Sequence, residues 1–135
     1  MSTNPASCPI AFTLNGQPFT AAIDDTTSLM DVLREQAGLI SPKNGCAPQG
    51  SCGCCTVLVD GRALASCVVP ARTTAGKSVV TLEGLDARER HIFAHAFSAT
   101  GGLQCGFCIP GIVIRAKHLI DHTPRPTRAE IAHAL

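Results

Sequence analysis

The chain of 135 residues has no tryptophan and no tyrosine, and it has only five phenylalanines. So few large side chains bury a modest apolar area, which favours a fold stabilised by bound metal or by a large partner surface. No apolar run approaches the roughly 20 residues of a membrane span. Residues 1–5 have neither the basic region nor the apolar stretch of a signal peptide. From these absences we expect a cytoplasmic protein, in which thiols stay reduced.

An excess of either charge is also missing, because 11 Lys and Arg balance 10 Asp and Glu. This balance gives no indication of nucleic acid or of an anionic membrane surface as a partner.

Cysteine, in contrast, is abundant, and six of the eight cysteines fall into two groups. The first group is Cys46-x5-Cys52-x2-Cys55-x11-Cys67, and the second is Cys105-x2-Cys108. In a reducing compartment, clustered cysteines bind metal more often than they form disulfides, which stay the alternative.

The first group has the composition of an iron–sulfur site. A two-iron cluster needs four thiolates, two for each iron, and backbone N–H groups directed at its sulfurs. Glycines allow that approach, and we expect Gly45, Gly50 and Gly53 to line the cofactor. A hairpin returns Cys67 as the fourth ligand. The alternative is a zinc site with four thiolates, although zinc ribbons usually carry two CxxC knuckles.

The second group holds only two thiolates, with Gly106 and Phe107 between them. It is open to three interpretations: half of a metal site, a redox dithiol at a helix N-terminus, or a zinc site shared with His118 and His122. Those two histidines, like His91 and His95, are spaced i,i+4. We expect both pairs to lie on solvated helix faces.

Local patterns predict an N-terminal α+β unit. After a loose tail at residues 1–9, strands are expected at 10–14 and 19–23 around an Asn15-Gly16 turn. A helix capped by Ser28 runs through Gln36. After the cysteine loop come a strand at 56–59, an Asp60-Gly61 turn and a last strand at 79–82. Strands around one helix indicate a β-grasp arrangement.

The remaining residues predict helices. The first begins after Asp86, with Ile92, Ala96 and Ala99 on one face and Phe93 and Phe97 paired at i,i+4. The second spans about 111–120, with residues 113, 116 and 120 aligned. The third starts at Thr127, with Glu130 completing a capping box. We therefore predict a β-grasp domain at residues 1–84 and a small all-α helical bundle domain at 85–135.

Two motifs follow each other in a specific order: GSCGCCTV at 50–57 and GLQCGFCIPG at 102–111. Further matching segments are 28–35, 60–61, 66–67 and 81–85. At these residues the chain resembles the small iron–sulfur subunit or domain of molybdenum hydroxylases of the xanthine oxidase type. The resemblance covers nearly the whole chain.

The resemblance implies a plant-ferredoxin-like β-grasp domain and a helical bundle, each holding one 2Fe–2S cluster. The first cluster would be bound by Cys46, Cys52, Cys55 and Cys67 and lie toward FAD on a partner. The second would use Cys105 and Cys108 and lie near a molybdopterin (Mo) cofactor in a larger subunit or domain. Gln104 would hydrogen-bond that pterin, with Gly106 beside the cofactor. Electrons would pass from molybdenum through both clusters to FAD or another acceptor.

The chain departs from the family pattern in three places. Five residues separate Cys46 from Cys52 where the family has four, so Ala47 occupies the usual ligand position. Either the loop bulges and Cys54 packs as a small residue, or Cys54 is recruited as the ligand. Cys8 is expected to be a free thiol. Ile109 replaces a common threonine. The family's Cys-x-Cys lies about 31 residues beyond the CxxC, whereas 27 residues follow Cys108. We expect either that this polypeptide is a fragment of a longer one, or that another chain supplies the two missing thiolates of the second cluster.

Three functions follow from these patterns. The first is the electron-transfer component of a molybdenum hydroxylase, which is not catalytic alone because nothing resembles a nucleophile–base pair. The second is a freestanding 2Fe–2S ferredoxin, although the acidic surface that steers such carriers is missing. The third is a zinc-binding structural module. The substrate of such a complex is not encoded in these residues.

Overall fold

The computed structural model describes residues 7–135. Strand β1 (Cys8–Leu14) pairs antiparallel with β2 (Gln17–Ile23) through the predicted turn, in which Asn15 and Gly16 both have positive φ. The prediction of a loose tail over residues 1–9 is therefore wrong at its last two residues, because Cys8 pairs with Ile23 and Pro9 with Ala22. Residues 1–6 lie outside the described part.

The helix that follows starts at the predicted residue. Ser28 caps α1 (Leu29–Asp31) and forms a capping box with Asp31. The helix continues as a π-helical turn, Val32–Gln36, and Gly38 leaves it with φ +67°. Its apolar side is fully buried under the sheet, through Leu29, Val32 and Leu33.

A mixed five-stranded sheet completes the first unit. The remaining strands are β3 (Thr56–Val59), β4 (Arg62–Ala65) and β5 (Ser78–Val80), and the order is β2-β1-β5-β3-β4. Strands β1 and β5 are parallel, and the other neighbours are antiparallel. The predicted β-grasp arrangement is confirmed.

The last strand is shorter than predicted, because it stops at Val80 instead of Leu82. The Asn15 side chain binds Thr81 in place of a neighbouring strand: Thr81 N donates to Asn15 Oδ1 at 2.8 Å. A 3-10 turn, Leu82–Gly84, then leads into the helices.

Three helices form the second unit: α2 (Ala87–Ala99), α3 (Ile109–His122) and α4 (Arg128–Ala134). Asp86 and Thr127 cap α2 and α4, and the predicted capping box with Glu130 is present. Helix α3 is longer than the predicted 111–120, because Pro110 is tolerated in a first turn. None of the helices between residues 7 and 135 has the length and apolar character needed to cross a bilayer.

The helices pack on the sheet through a second apolar core. Leu58 of β3, Leu85, and Val113 and Ile114 of α3 are buried there, with Phe93 and Phe97 packed beside them. The helix predicted from the spacing of Ile92, Ala96 and Ala99 is present, but this face lies outside the core, since Ile92 is 52% exposed. The phenylalanine pair offers more apolar area, so α2 turns that side inward. On α3, Val113 is buried but Ile120 is 45% exposed.

A polar network ties the segment that follows β5 back to the rest of the first unit. Glu83 accepts hydrogen bonds from Ser41 N (3.0 Å), from the Ser41 hydroxyl and from Thr81 Oγ1 (2.7 Å). Asn15 Nδ2 donates to the same Thr81 hydroxyl at 3.0 Å. Burial opposes ionisation, but the bonds from Ser41 and Thr81 prevail and lower the pKa of Glu83. The network fixes the residues that lead into the first cysteine loop.

We predict that Glu83→Gln lowers the free energy of unfolding by on the order of 1 kcal/mol at pH 7, because charge-assisted hydrogen bonds are lost at a partly exposed site. Since the folded state lowers the pKa of Glu83 below 4.5, its contribution is complete at neutral pH and disappears as pH falls through the folded-state pKa.

Denaturant titrations of the purified chain between pH 7 and pH 3 measure this difference. Glu35→Gln, at an exposed helical position, is the matched control. An equal loss in both variants, or a gap that widens on acidification, would contradict the assignment.

Candidate metal centres

The loop between the helical segment and β3 brings backbone N–H groups to a cysteine sulfur. Ser51 N and Cys52 N lie 3.2 Å and 3.3 Å from Cys46 Sγ, and Cys54 N lies 3.5 Å from Cys52 Sγ. Hydrogen bonds from Ser51, then those from Cys52, lower the pKa of the Cys46 thiol to about 6. The loop therefore stabilises a thiolate at Cys46.

Cys55 and Cys67 form a buried pair beside this loop. Cys55 precedes β3, and Cys67 lies in a 3-10 turn, Ser66–Val68, that follows β4. Cys67 N donates to Cys55 Sγ at 3.4 Å, and Ser66 Oγ donates to Cys55 O at 2.7 Å. Burial, followed by the bond to Cys55 and the charge there, raises the pKa of the Cys67 thiol to about 11. Met30 packs in the same small cluster as both cysteines.

The predicted cofactor-lining glycines allow the chain to pass close to sulfur. A Cβ on Gly45 would lie 2.8 Å from Cys52 Sγ. Gly50 has φ +67°, and a Cβ there would lie 2.7 Å from Val68 Cγ1. Gly53 and Gly106 also have positive φ. Side chains at Gly45 or Gly50 would displace the loop.

The extra residue between Cys46 and Cys52 is accommodated in a turn. Gln49 N donates to Cys46 O at 2.8 Å, and Ala47 N donates to Asn44 Oδ1 at 3.2 Å instead of to a sulfur. Ala47, which stands at the family's usual ligand position, packs against the cluster of Met30, Cys55 and Cys67. The bulge thus leaves Cys46 Sγ as the atom that receives the N–H groups.

Cys54 is buried, 8% exposed, between these cysteines. Desolvation, followed by a hydrogen bond with Cys52 and the charge there, raises the pKa of its thiol to about 11. A neutral buried thiol behaves as a small apolar side chain, which agrees with the packing role predicted for it.

The donor set fits a two-iron cluster. Among residues 7–135, no three Cys, His, Asp or Glu side chains converge to hold one metal ion. A 2Fe–2S cluster needs two thiolates at each iron, with hydrogen bonds to the sulfurs. Four cysteines around one loop, with N–H groups directed at sulfur, offer that arrangement.

The second group lies beside the first cysteine loop, and Cys52 and Cys108 line the same cavity. Cys105 and Cys108 are exposed, and Cys108 directly precedes α3. Gln104 and Gly106 line an open cavity of about 290 Å³ with both cysteines. Cys105, Cys108 and Gln104 therefore face a common space.

The histidines do not complete this site. His118 is half-buried and its Nδ1 lies 3.0 Å from Gly61 O, while His122 Nδ1 lies 2.8 Å from His118 O. Between residues 7 and 135 neither joins Cys105 and Cys108 in a metal-holding group. His91, His95 and His122 are exposed as predicted, and His118 is not.

Sequence reasoning missed that the two cysteine segments touch. A Cβ on Gly111 would lie 2.1 Å from Gly53 O, and the Phe107 ring lies against Gly45. The sequence Pro110-Gly111 could have indicated this contact. Glycine has a low helix propensity, so a glycine in the first turn of a helix points to close packing at that residue.

Family models match both halves of the chain. Residues 12–85 match a “2Fe-2S iron-sulfur cluster binding domain”, and residues 81–135 match a “[2Fe-2S] binding domain”.

Curated relatives and a solved structure extend these matches. One of the subunits of nicotinate dehydrogenase from Pseudomonas putida is 39% identical over 127 residues, which cover 93% of this chain and 80% of the relative. The xanthine dehydrogenase iron-sulfur-binding subunit from Escherichia coli is 45% identical, covering 82% of this chain and 69% of the relative. The crystal structure of quinoline 2-oxidoreductase from Pseudomonas putida superposes with a TM-score of 0.88 at 35% identity, covering 96% of this chain and 80% of that one.

We predict that Cys46 reacts with iodoacetamide from about pH 6 upward in the cluster-free chain, because hydrogen bonds favour its thiolate there. Alkylation at a series of pH values, resolved by peptide mass spectrometry, gives its rate profile. A Cys46 rate that still rises through about pH 8.5, as for a free cysteine, would contradict the N–H geometry of the loop.

Proposed function

The chain belongs to the family of iron–sulfur subunits of molybdenum hydroxylases, and we propose that its six grouped cysteines bind the two 2Fe–2S clusters of such a complex. It is an electron-transfer component of an oxidoreductase. The observation that carries the ligand assignment is the set of N–H groups at 3.2 Å and 3.3 Å from Cys46 Sγ, beside the Cys55–Cys67 pair.

For the first cluster we propose Cys46, Cys52, Cys55 and Cys67 as ligands. A 2Fe–2S cluster supplies reversible one-electron chemistry when bound. This chain's contribution is to hold two thiolates on a glycine-rich loop and two at the open end of the β3–β4 hairpin. Ser51 N and Cys52 N offset negative charge on sulfur, and buried Met30 and Cys54 keep water away from one side.

For the second cluster we propose Cys105 and Cys108. A 2Fe–2S cluster takes four thiolates, so two would come from protein outside residues 1–135. The exposure of both cysteines around one open cavity supports this assignment.

We propose that a larger partner carrying molybdopterin covers this end of the chain. Leu103 and Phe107 flank the site and are 48% and 44% exposed, which is the apolar surface that a partner would bury. The Gln104 amide, exposed at the same cavity, can donate and accept hydrogen bonds, so it is suited to contact the pterin.

The electron acceptor would then lie toward the first cluster. Val68, which contacts Gly50 of the cysteine loop, is 50% exposed and offers an apolar contact there. We propose an FAD-binding subunit or domain as that partner. Residues 1–84 would carry the first cluster and 85–135 the second. We also propose a cytoplasmic location, because thiols stay reduced there and remain free to bind iron.

We predict about four iron and about four sulfide per assembled unit, two of each for one cluster. Metal and sulfide analysis of the purified complex measures these numbers. Since the chain has no Trp or Tyr, near-ultraviolet and visible absorption of this subunit would come almost entirely from clusters. Two iron and two sulfide would indicate a freestanding ferredoxin instead. Zinc, or a colourless complex, would contradict the proposal.

A further inference from the structure

The N-terminal turn of α3 rests directly on the backbone of the first cysteine loop. Gly111 is three residues beyond Cys108 and is buried. A Cβ at Gly111 would lie 2.1 Å from Gly53 O and 3.1 Å from Cys54 Cα. No side chain fits between the two backbones, so the segment carrying Cys108 is in van der Waals contact with the loop carrying Cys52 and Cys55.

The loop side of this contact cannot move aside easily. Gly53 O accepts hydrogen bonds from Thr56 N at 3.1 Å and from Thr56 Oγ1 at 2.7 Å. Gly53 itself has φ +73°, and Cys54 beside it is buried. The carbonyl that faces Gly111 is therefore held firmly by its own loop.

A second contact runs in the opposite direction. Phe107, between Cys105 and Cys108, places its Cε1 3.4 Å from the position of a Cβ on Gly45. That position is also 2.8 Å from Cys52 Sγ and 3.5 Å from Cys54 Sγ. Each of the two cysteine segments thus contains a glycine, Gly45 in the first and Gly111 in the second, against which the other segment packs.

The rest of α3 prevents the helix from sliding along the loop. Val113 and Ile114 are 3% and 1% exposed in the core with Leu58. Lys117 Nζ forms an ion pair with Glu89 of α2 at 2.6 Å. The buried anchor begins within one helical turn of Gly111, so the height of the first turn above the loop depends on the size of residue 111.

We infer that Gly111 and Phe107 are positioning residues that set the distance between the two clusters. This inference rests on the proposed function, because it requires a cluster at each cysteine group. Electron tunnelling between cofactors slows steeply as their separation grows. A glycine at residue 111 gives the shortest separation that this backbone allows, and Phe107 fixes the same spacing from the other side.

Gly111→Ala is the direct test in the assembled complex. Because Gly53 O is held in place, the first turn of α3 must lift and take Cys108 with it. Gly76→Ala is the control: Gly76 has φ +72° in the turn before β5, so a Cβ strains the backbone there, outside the cysteine segments and with nothing within 4 Å. Both variants are expected to lower the thermal stability of the complex.

The deciding measurement is the electron paramagnetic resonance spectrum of the dithionite-reduced complex, in which both clusters are paramagnetic. The splitting that arises from their magnetic interaction falls with the cube of their separation. We expect a smaller splitting in Gly111→Ala, with iron content unchanged, and wild-type splitting in Gly76→Ala. Wild-type splitting in both variants would overturn the inference.

Phe107→Ala keeps the inference testable if Gly111→Ala does not assemble, because it removes atoms and adds none. A changed splitting, with full iron content and unchanged subunit composition, supports the positioning role, and unchanged splitting contradicts it. The wild-type spectrum separates this result from the proposed function: two cluster signals must be present before any variant is compared. Their absence would overturn the proposed function itself.

Discussion

The architecture depends on one close approach, in which the backbone of the first cysteine loop reaches sulfur. Ser51 N and Cys52 N can come within hydrogen-bonding distance of Cys46 Sγ only because glycines before and within the loop leave room. The helical segment below supplies Met30 as an apolar wall, and the β3–β4 hairpin returns Cys67 to Cys55. Sheet and helix act as the rigid support for that loop.

The helical unit, in turn, depends on its contacts with the sheet and with the cysteine loop. Its three helices bury few apolar side chains of their own, and their main core is shared with Leu58 of the sheet. The contact of Gly111 with Gly53 adds a second link between the units. The two units therefore form one platform that presents two cysteine groups side by side, as a chain of electron carriers requires.

Residue patterns were sufficient where the cause is local. Ser28, Asn15-Gly16 and Thr127 mark their caps and turns, and the cysteine spacing marks the candidate metal sites. Residue patterns failed where contacts between distant parts of the chain determine which face of a helix is buried or where a strand ends. Helix α2 turned Phe93 and Phe97 inward instead of Ile92, and β5 ended early because Asn15 binds Thr81. The contact between the cysteine segments was not predictable, since it joins residues more than fifty positions apart.

Above all, we propose that the bulged loop presents Cys46, and not Cys54, to the first cluster. The most direct measurement compares Cys46→Ser with Cys54→Ser in the complex, recording the iron content and the electron paramagnetic resonance spectrum of the reduced clusters. We predict that Cys46→Ser loses or alters the signal of the first cluster, whereas Cys54→Ser keeps both signals and full iron content. Loss of that signal in Cys54→Ser, with Cys46→Ser unaffected, would contradict the assignment.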